Sequence, residues 1–312
     1  MEKTVFASSA PKVGVIGLGG QSAFLSAPRF PTPGETVSCT QLFFELGGKG
    51  YNQAIACARM GIATVFIGAV GRDEHAKACR RELLSQGVTP CLIEKDVPTA
   101  YAVITTDAGG ENTVSVFPGA AKALTAQDLR REQVMAQLKT CTCLLLQNEL
   151  TTDCLRQACE IGRQLHIPVI FNPAPAHGIP TELLGQCDLL TPNYGEAKLL
   201  AGYGPEEQPT GKELVERLTG QGVKDLIITM GGHGAILAQK GSLSEIPAFS
   251  CGKPVDTTGA GDTFNGVLCA MLAEGKTMAQ AAAVAAIAAG IGVTRPGAAG
   301  SIPTRQEVEQ YL

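Results

Sequence analysis

The stretch Asp-Thr-Thr-Gly-Ala-Gly-Asp-Thr-Phe-Asn-Gly at residues 256–266 combines a turn of almost bare backbone with the start of a helix. Backbone N–H groups of Gly259, Ala260 and Gly261 can approach an anion closely, and the following helix adds the positive end of its dipole. Asp262 would repel a static phosphate, so its carboxylate suits a base that deprotonates a hydroxyl attacking that phosphate. A shorter run could equally be an N-capped helix, but the full stretch favours phosphoryl transfer.

Around this stretch, short apolar strands alternate with helical segments along most of the chain. The predicted strands lie at 13–17, 65–68, 144–147, 169–171, 189–191 and 226–229. The predicted helices lie at 51–60, 74–85, 152–165, 194–201, 211–219, 261–274 and 277–290. Alternation of this kind predicts a doubly wound α/β fold, with a mostly parallel sheet and helices on both faces.

Two segments depart from this alternation. Residues 20–46 have no helical period and are rich in proline, while 101–106 and 113–117 are β-rich runs that flank a glycine turn and predict a hairpin. We therefore expect a single domain over 1–312, with insertions at about 20–46 and 97–118 that form a small β-sheet lid.

Composition and charge make nucleic acid an unlikely class of partner. The 312 residues carry a formal net charge of −4, with a sequence pI near 5.7 and 5% aromatic residues. Basic residues are scattered, so the chain lacks both a stripe that would follow a phosphate backbone and an aromatic surface for stacking bases. We expect no nucleic-acid partner.

Cysteine usage and apolar runs suggest a cytoplasmic protein. Eleven cysteines include no Cys-x-x-Cys pair, and the four histidines do not combine with them in a zinc-ligand spacing, so reduced thiols are expected. Residues 1–12 lack the apolar core of a signal peptide, and the longest apolar run, 281–293, is too short to cross a bilayer. No membrane partner is expected.

Two other glycine-containing segments do not fit common nucleotide-binding motifs. The run at 17–20 follows a predicted strand, but the third glycine of a dinucleotide fingerprint would fall at Ser22, and no helix follows. Residues 211–213 do not form a Walker P-loop, because Glu213 stands where that motif has a serine or threonine. ATP would need a different phosphate cradle.

Three further segments could build such a site. Asn193 and Glu196 are three residues apart at the start of a predicted helix, so they could hold phosphates and Mg²⁺ through water, or simply form a capping box. The glycine turn at 229–234 follows a strand and could contact a triphosphate, or could be an ordinary turn between strands. Lys49 and Asn52, beside Gly-Gly, could face whatever the lid covers.

Taken together, these segments resemble the PfkB carbohydrate kinase family, most closely its ribokinase branch, over nearly the whole chain. The resemblance rests on residues 30–36, 47–53, 172–176, 191–196, 256–266 and 293–297. The Gly-Gly-Lys-Gly and Gly-Ala-Gly-Asp segments match the two family signatures, and both at this spacing are highly specific. A ribokinase-like fold is therefore expected.

The resemblance implies an ATP-dependent kinase that phosphorylates the primary hydroxyl of a small sugar, with Asp262 as the general base. The implied anion hole for the transferred phosphoryl group consists of Gly259, Ala260 and Gly261. The implied sugar contacts, besides Asp262, are Gly48, Lys49, Asn52 and Glu149. The implied nucleotide contacts are Asn193, Glu196, Thr229, Gly231 and Gly234, of which Asn193 and Glu196 also serve Mg²⁺ through water.

A monovalent-cation site, usually filled by K⁺ in this family, is a further implication. Its ligand-bearing residues would be Asp256, Thr258, Gly292, Arg295, Gly297 and Ser301. A buried cation beside the glycine turn would fix the backbone geometry of the anion hole. Lids of this family often pair into a homodimer, and the β-rich edges within 101–117 have a composition that suits such pairing.

The chain departs from the family pattern at the sugar side. Ribokinases have an Asn and, two residues on, an Asp that bind sugar hydroxyls, and alignment places Gly20 and Ser22 at these positions. Because a buried hydroxyl that loses its partner costs on the order of 1 to 3 kcal/mol, the identity of the sugar is left open. A second difference is Ala286, where ribokinases often have a histidine near the adenine.

Our main hypothesis is a sugar kinase that uses ATP and Mg²⁺, with K⁺ as a further expected cofactor. Within the same fold, Gly20 and Ser22 leave room for a nucleoside or a modified sugar as the acceptor. From a different class, a non-catalytic sensor of sugar or nucleotide is possible, although an intact Asp262 argues against it. A hydride-transferring dehydrogenase is the weakest alternative, because the first glycine motif is broken.

Overall fold

The computed structural model describes residues 10–312, and its elements follow the predicted alternation closely. The strands are β1 Lys12–Ile16, β2 Gly20–Ser26, β3 Gln41–Gly47, β4 Ala63–Val70, β5 Val88–Glu94, β6 Ala100–Thr106, β7 Asn112–Phe117, β8 Cys143–Gln147, β9 Val169–Asn172, β10 Leu189–Leu190, β11 Asp225–Thr229, β12 Ala235–Gln239 and β13 Ser242–Ile246. The helices are α1 Lys49–Arg59, α2 Glu74–Ser85, α3 Gly119–Lys122, α4 Ala126–Leu129, α5 Glu132–Leu138, α6 Thr152–Leu165, α7 Thr181–Leu184, α8 Tyr194–Leu200, α9 Gly211–Gly220, α10 Ala260–Ala273, α11 Met278–Gly292 and α12 Arg305–Glu309.

Nine strands form the main sheet, in the order β13-β12-β11-β10-β9-β8-β1-β4-β5. All neighbours from β11 to β5 are parallel, whereas β12 and β13 add an antiparallel edge. The chain runs outward from β1 through β4 to β5, and in the opposite direction from β8 to β11. The strand order therefore reverses between β1 and β8, and ligands of open α/β sheets bind at such a switch point.

Helices cover both faces of the main sheet, which confirms the predicted doubly wound architecture. Alternate residues of β1 belong to different apolar clusters: Val13 and Val15 pack on the side of α1, α10 and α11, and Ile16 packs on the opposite side with α6. This alternation follows from the two-residue period of a strand. The sheet is buried on both faces, as a parallel sheet requires.

The close approach of α1 to α10 positions the functional elements. Gly266 lies where a Cβ atom would be only 2.5 Å from the Ala56 Cβ and from the Gln53 carbonyl oxygen. A larger residue at 266 would force the two helices apart. Because the helices touch, the first turn of α1 reaches the first turn of α10, although the two are more than 200 residues apart in the sequence.

A second sheet of four strands, in the order β3-β2-β6-β7, is the predicted small sheet. The hairpin between β6 and β7 was expected, and the proline-rich segment before residue 47 supplies the other two strands. Phe43, Phe24, Ile104 and Val114 are paired across all four strands, so their side chains lie on one face. The rings of Phe24 and Phe43 stack with centroids 4.7 Å apart.

None of the helices within residues 10–312 is long and apolar enough to cross a membrane. The same residues contain no cluster of three or more His, Cys, Asp or Glu side chains that could hold a metal. All eleven cysteines are free thiols. Most of the amino-terminal segment considered for a signal peptide lies outside the described residues.

Candidate active site

Asp262 lies on the first turn of α10, after a turn that only glycine adopts easily. Gly259 caps the helix with a φ of 75°, in the left-handed region where a side chain would be strained. The Asp262 side chain is 8% exposed. Its two oxygens accept hydrogen bonds from Asn52 Nδ2 and Gln53 Nε2, each at 2.9 Å. The carboxylate is therefore held in one orientation by two amides of α1.

The glycine pair before α1 brings the chain close to β1. Gly48 caps the helix with a φ of 104°, and a Cβ atom there would lie 2.5 Å from Leu18 Cδ2 and 2.7 Å from the Leu18 carbonyl oxygen. The next residue, Lys49, donates its backbone N–H to Glu149 Oε2 at 2.9 Å. Glu149 follows β8, so this contact joins α1 to the switch point of the sheet.

Two cavities meet at Asp262. The first, of about 280 Å³, lies between the small sheet and the main sheet, and the second, of about 180 Å³, lies over the start of α8. Lys49, Gly259 and Asp262 line both cavities. The sequence-predicted residues that line only the first are Gly48, Asn52, Glu149 and Thr258, and those that line only the second are Asn193, Glu196, Thr229 and Gly261. Asp262 thus separates two compartments.

The charges around Lys49 influence one another strongly. Burial alone would lower the pKa of Lys49, but Asp262, Glu149 and Glu196 together outweigh it, so the pKa is raised. The ammonium group therefore stays charged. For Glu149, burial has the opposite effect and raises the pKa to about 7, although the nearby Lys49 acts to lower it. Burial also raises the pKa of Glu196, which the backbone N–H of Asn193 partly offsets.

The raised pKa of Glu149 predicts a pH-dependent cost to stability. The folded state holds the Glu149 proton more tightly than the unfolded chain, whose carboxyl has its ordinary pKa of 4.5, so stability falls as pH rises from about 4.5 through 7. Such a shift corresponds to at most roughly 3 kcal/mol. We expect Glu149→Gln to raise the thermal unfolding midpoint by a few degrees at pH 8.5, and hardly at all at pH 4.5. Calorimetry at both pH values measures the unfolding midpoint. A lower midpoint of the variant at pH 8.5 would contradict the raised pKa of Glu149.

Asn193 and Glu196 form the capping box that their spacing predicts, and they also lie at the second cavity. Asn193 Oδ1 accepts from the Glu196 backbone N–H at 2.8 Å, and Glu196 Oε2 accepts from the Asn193 backbone N–H at 2.9 Å, so the capping box of α8 is formed. Both residues nevertheless line the second cavity. Carboxylate and amide oxygens at this place suit Mg²⁺ held through water.

The glycine turn after β11 contributes less to the cavity than the sequence suggested. Thr229 lines the second cavity, whereas Gly231 and Gly234 do not and instead form the turn between β11 and the antiparallel β12. A Cβ atom at Gly234 would lie 2.1 Å from the Ile246 carbonyl oxygen, so glycine is required for packing. Contact of Gly231 and Gly234 with a nucleotide stays a prediction.

The residues of the predicted cation site lie on two loops that Asp256 joins. Asp256 accepts from the backbone N–H of Thr258 at 2.9 Å and of Gly297 at 3.0 Å. Burial alone would raise the pKa of Asp256, but the Thr258 side chain and these two backbone groups keep it below the ordinary value. Ser301 is buried, and its hydroxyl donates to the Ala298 carbonyl at 2.9 Å. An ionised carboxylate beside loop carbonyls is a donor set that suits K⁺.

Two further members of the predicted cation set lie at the end of α11 and just after it. The Gly292 carbonyl accepts from the Arg295 backbone N–H at 3.0 Å, which closes a turn. The Arg295 guanidinium points elsewhere and binds Glu307 at 2.5 Å, so only its carbonyl oxygen could serve a cation. The loops fit an oxygen-lined site, and its occupancy by K⁺ stays a prediction.

Positions 20 and 22 differ in the space that they leave for a side chain. A Cβ atom at Gly20 would lie 2.2 Å from the Ala100 carbonyl oxygen, because β2 pairs closely with β6 there. Ser22 faces the first cavity and is paired with Glu45 on β3. Position 20 is closed to side chains, whereas position 22 is open toward the cavity.

Sequence reasoning missed the buried amides behind the site. Gln53, Gln147 and Asn172 are 0%, 0% and 5% exposed, and they form a hydrogen-bonded chain that reaches Asp262. Asn265, on α10, donates to the Gly261 carbonyl at 2.8 Å. Gln53 and Asn172 fall within the segments 47–53 and 172–176 that carry the family resemblance, and Gln147 is a polar residue at the end of an otherwise apolar run, but none of these signals indicates the contacts.

The similarity to known proteins covers nearly the full length of the chain. Residues 15–305 match the model of the pfkB family carbohydrate kinases. Ribokinase of Haemophilus influenzae is 34% identical over 300 residues, which cover 96% of this chain and 97% of that protein. Deoxyribokinase of Salmonella typhi is 30% identical over 303 residues, covering 96% and 98% respectively. The solved structure of Arabidopsis thaliana ribokinase complexed with ribose and ATP has a TM-score of 0.87 at 29% identity, covering 97% of this chain and 98% of that one.

Proposed function

Because the chain belongs to the pfkB family of carbohydrate kinases, and is thus a phosphotransferase with an alcohol acceptor, we propose that it transfers the γ-phosphoryl group of ATP to the primary hydroxyl of a small sugar. The observation that carries this proposal is the position of Asp262 between two cavities. A sugar in the first cavity and a nucleotide in the second would bring acceptor and donor together at this carboxylate.

In the proposed reaction, Asp262 takes the proton from the sugar hydroxyl as its oxygen attacks the γ-phosphorus. A new O–P bond forms while the bond to the β,γ-bridging oxygen breaks, and ADP leaves with the electron pair. Backbone N–H groups of Gly259, Ala260 and Gly261, at the positive end of α10, would hold the transferred group. Lys49, which lines both cavities and stays charged, would balance the negative charge.

Asn52 supports the assignment of the first cavity to a hydroxylated substrate. Its Nδ2 donates to Asp262, while its Oδ1 is buried and has no hydrogen-bond partner. A buried acceptor without a partner costs about 1 to 3 kcal/mol, so a ligand hydroxyl that donates to this oxygen would be favoured. The side chain is 6% exposed and lines the first cavity.

The second cavity would receive the nucleotide phosphates. Glu196 and Asn193 would hold Mg²⁺ through water, and that ion would neutralise charge on the phosphates. A cation at the loops of Asp256 and Gly297 would keep the turn before α10 in the shape that its anion hole needs. The Mg²⁺ assignment rests on the side-chain oxygens of Asn193 and Glu196 at the second cavity, and the cation assignment rests on the Asp256 carboxylate beside the loop of Gly297.

The experiment that tests the proposed function is a screen for ADP release by the purified protein. Ribose, 2-deoxyribose, fructose and nucleosides would be offered with ATP and Mg²⁺, with and without K⁺. Release of ADP that depends on one sugar supports the proposal and identifies the acceptor. Binding of a sugar or of ATP by calorimetry, without turnover on any acceptor, would instead favour a sensor.

A nucleoside or modified-sugar kinase is the second candidate. Apolar residues of the small sheet line the first cavity, among them Phe24, Ile104, Val114 and Val116. An apolar wall suits a base or a deoxygenated carbon better than a fully hydroxylated sugar. The relatives named above include a deoxyribokinase, so 2-deoxyribose is a specific alternative within this candidate. The same screen separates these acceptors.

The insertions at about 20–46 and 97–118 are proposed to form the lid of the single domain, and the lid is proposed to pair with that of a second copy. On the cavity-facing side of the small sheet, Phe43 is 51% and Val114 56% exposed. An apolar row of this kind across four strands is a frequent protein–protein contact. A second copy would cover the row and close the first cavity from outside.

We expect Val114→Asp to convert a dimer into a monomer, because it would place a charge within the apolar row that the proposed contact buries. Its neighbour on β7, Ser115, points to the opposite face, so Ser115→Asp is the matched control and should remain dimeric. Sedimentation velocity measures both variants beside the unaltered protein. A monomeric unaltered protein, or a dimeric Val114→Asp variant, would contradict the pairing.

A further inference from the structure

A chain of buried amides lies directly behind Asp262. Gln53 Nε2 donates to Asp262 Oδ1 at 2.9 Å and to Asn172 Oδ1 at 3.0 Å, while Gln53 Oε1 accepts from Gln147 Nε2 at 2.6 Å. Asn172 Nδ2 in turn donates to the Thr191 carbonyl at 2.9 Å. Gln53 is fully buried and lines neither cavity, so it does not contact a substrate in either one.

The two ends of this chain determine which atom of each amide faces which neighbour. The Asp262 carboxylate and the Thr191 carbonyl can only accept, so Gln53 must present its NH₂ to Asp262, and Asn172 must present its NH₂ to Thr191. Gln53 Oε1 is then directed to Gln147, which must donate. In this arrangement each contact pairs a donor with an acceptor, and Gln147 Oε1 is left without a hydrogen-bond partner. Gln53 can therefore only be a donor toward the ionised carboxylate.

Glycines make the room that these amides need. A Cβ atom at Gly17 would lie 2.2 Å from Gln147 Oε1, and one at Gly50 would lie 3.0 Å from the same atom. The strand β1 and the helix α1 therefore approach each other around the Gln147 amide. A buried amide enclosed in this way has little freedom to rotate, so it holds Gln53 firmly.

The same polar cluster also reaches the turn before α10. Thr191, whose carbonyl accepts from Asn172, donates its hydroxyl to Asn265 Oδ1, and Asn265 Nδ2 donates to the Gly261 carbonyl. The cluster thus contacts α10 at Asp262 from one side and at Gly261 from the other. It fixes the base and the backbone of the turn relative to each other.

We propose that Gln53 is a positioning residue for Asp262, which holds the carboxylate toward the acceptor hydroxyl and is itself aligned by Gln147 and Asn172. This inference rests on the proposed kinase function. Asn52 also donates to Asp262, but it lines the first cavity and has a free oxygen for the substrate, so its contacts change when a sugar binds. Gln53 provides the contact that does not depend on substrate.

The test compares Gln53→Leu in two backgrounds, the unaltered protein and Asp262→Asn. In the unaltered background, kcat should fall at least about tenfold, because a misplaced base loses much of its effect, while KM for sugar and for ATP changes by less than about threefold. In the Asp262→Asn background, where no carboxylate remains to be positioned, Gln53→Leu should change the residual kcat by less than about twofold. Steady-state kinetics with the acceptor identified by the screen measures both effects.

Two further variants distinguish a loss of positioning from a general loss of structure. Gln53→Glu keeps the shape but faces Asp262 with an acceptor, so its kcat should fall at least as far as that of Gln53→Leu. Gln86→Leu removes another partly buried glutamine, which accepts from Arg59 away from both cavities, and should leave kcat unchanged. Circular dichroism and thermal unfolding verify that each variant is folded.

The outcomes separate this inference from the proposed function. An equal fall of kcat for Gln53→Leu in both backgrounds, or a rise in KM with kcat preserved, overturns the positioning role in an active kinase. An unaltered protein that releases no ADP with any acceptor contradicts the proposed function, and the role of Gln53 fails with it.

Discussion

Replacement of Asp262 by Asn is expected to lower kcat by roughly 10² to 10⁴-fold, the range for loss of a positioned general base. The shape of the side chain is kept, but the amide cannot accept the proton of the sugar hydroxyl. In the present orientation of the amides, its NH₂ would also face a donor, either Asn52 Nδ2 or Gln53 Nε2, each of which now donates to a carboxylate oxygen. The loss should therefore appear in kcat, with binding of sugar and ATP largely retained.

ADP-release kinetics measures this loss, and calorimetry with each ligand shows whether binding remains. Glu274→Gln is a matched control, because Glu274 caps the far end of the same helix and pairs with Arg305. That variant should keep its turnover. If Asp262→Asn retained full activity, the assignment of Asp262 as the proton acceptor would be wrong for any sugar.

Replacement of Ser22 by Asp is expected to raise the preference for ribose over 2-deoxyribose by on the order of 10- to 100-fold, as a ratio of kcat/KM values. A carboxylate accepting from a ribose hydroxyl makes a charge-assisted hydrogen bond, which is worth about 1.5 to 3 kcal/mol. Ser22 lines the first cavity together with Asn52 and Asp262, so a carboxylate at this position would face the bound sugar. A sugar that lacks this ribose hydroxyl would gain no such hydrogen bond, so its kcat/KM would not rise.

Glu45 complicates this change, because it is paired with Ser22 across β2 and β3 and also lines the first cavity. Two carboxylates opposite each other repel, so Ser22→Asp is best measured beside the double variant that also carries Glu45→Gln. Ser22→Asn controls for shape without charge and should give a smaller gain. An unchanged ratio of kcat/KM in both acidic variants would show that position 22 does not contact the sugar.

The regular part of the fold was predictable from local patterns. The helix at Glu74–Ser85 and that at Thr152–Leu165 have the predicted bounds, because each begins at a capping residue and has a clear apolar face. The strands at Val88–Glu94 and Ala235–Gln239 were missed. The first contains a proline, and the second follows a glycine turn that also matched a ligand-binding loop.

Many residues that line the two cavities were predicted from the sequence, but their contacts were predicted only in part. Asp262 and Lys49 could be selected because glycines precede them, and both line the two cavities. Gln53 lies in the segment 47–53 that carries the family resemblance, but its role could not be predicted, since its contact is with a partner 209 residues away. Contacts of this range are set by the packing of α1 on α10, and a single sequence contains no local signal for them.

The different surroundings of Gly20 and Ser22 bear on how the substrate range of this chain could evolve. Any side chain at position 20 would meet the Ala100 carbonyl, so selection for another acceptor is barred there until the neighbouring strand moves. Position 22 has no such barrier. A single replacement at that residue could redirect the enzyme to a new metabolite, while the residues proposed for phosphoryl transfer, which lie on other elements, remain as they are.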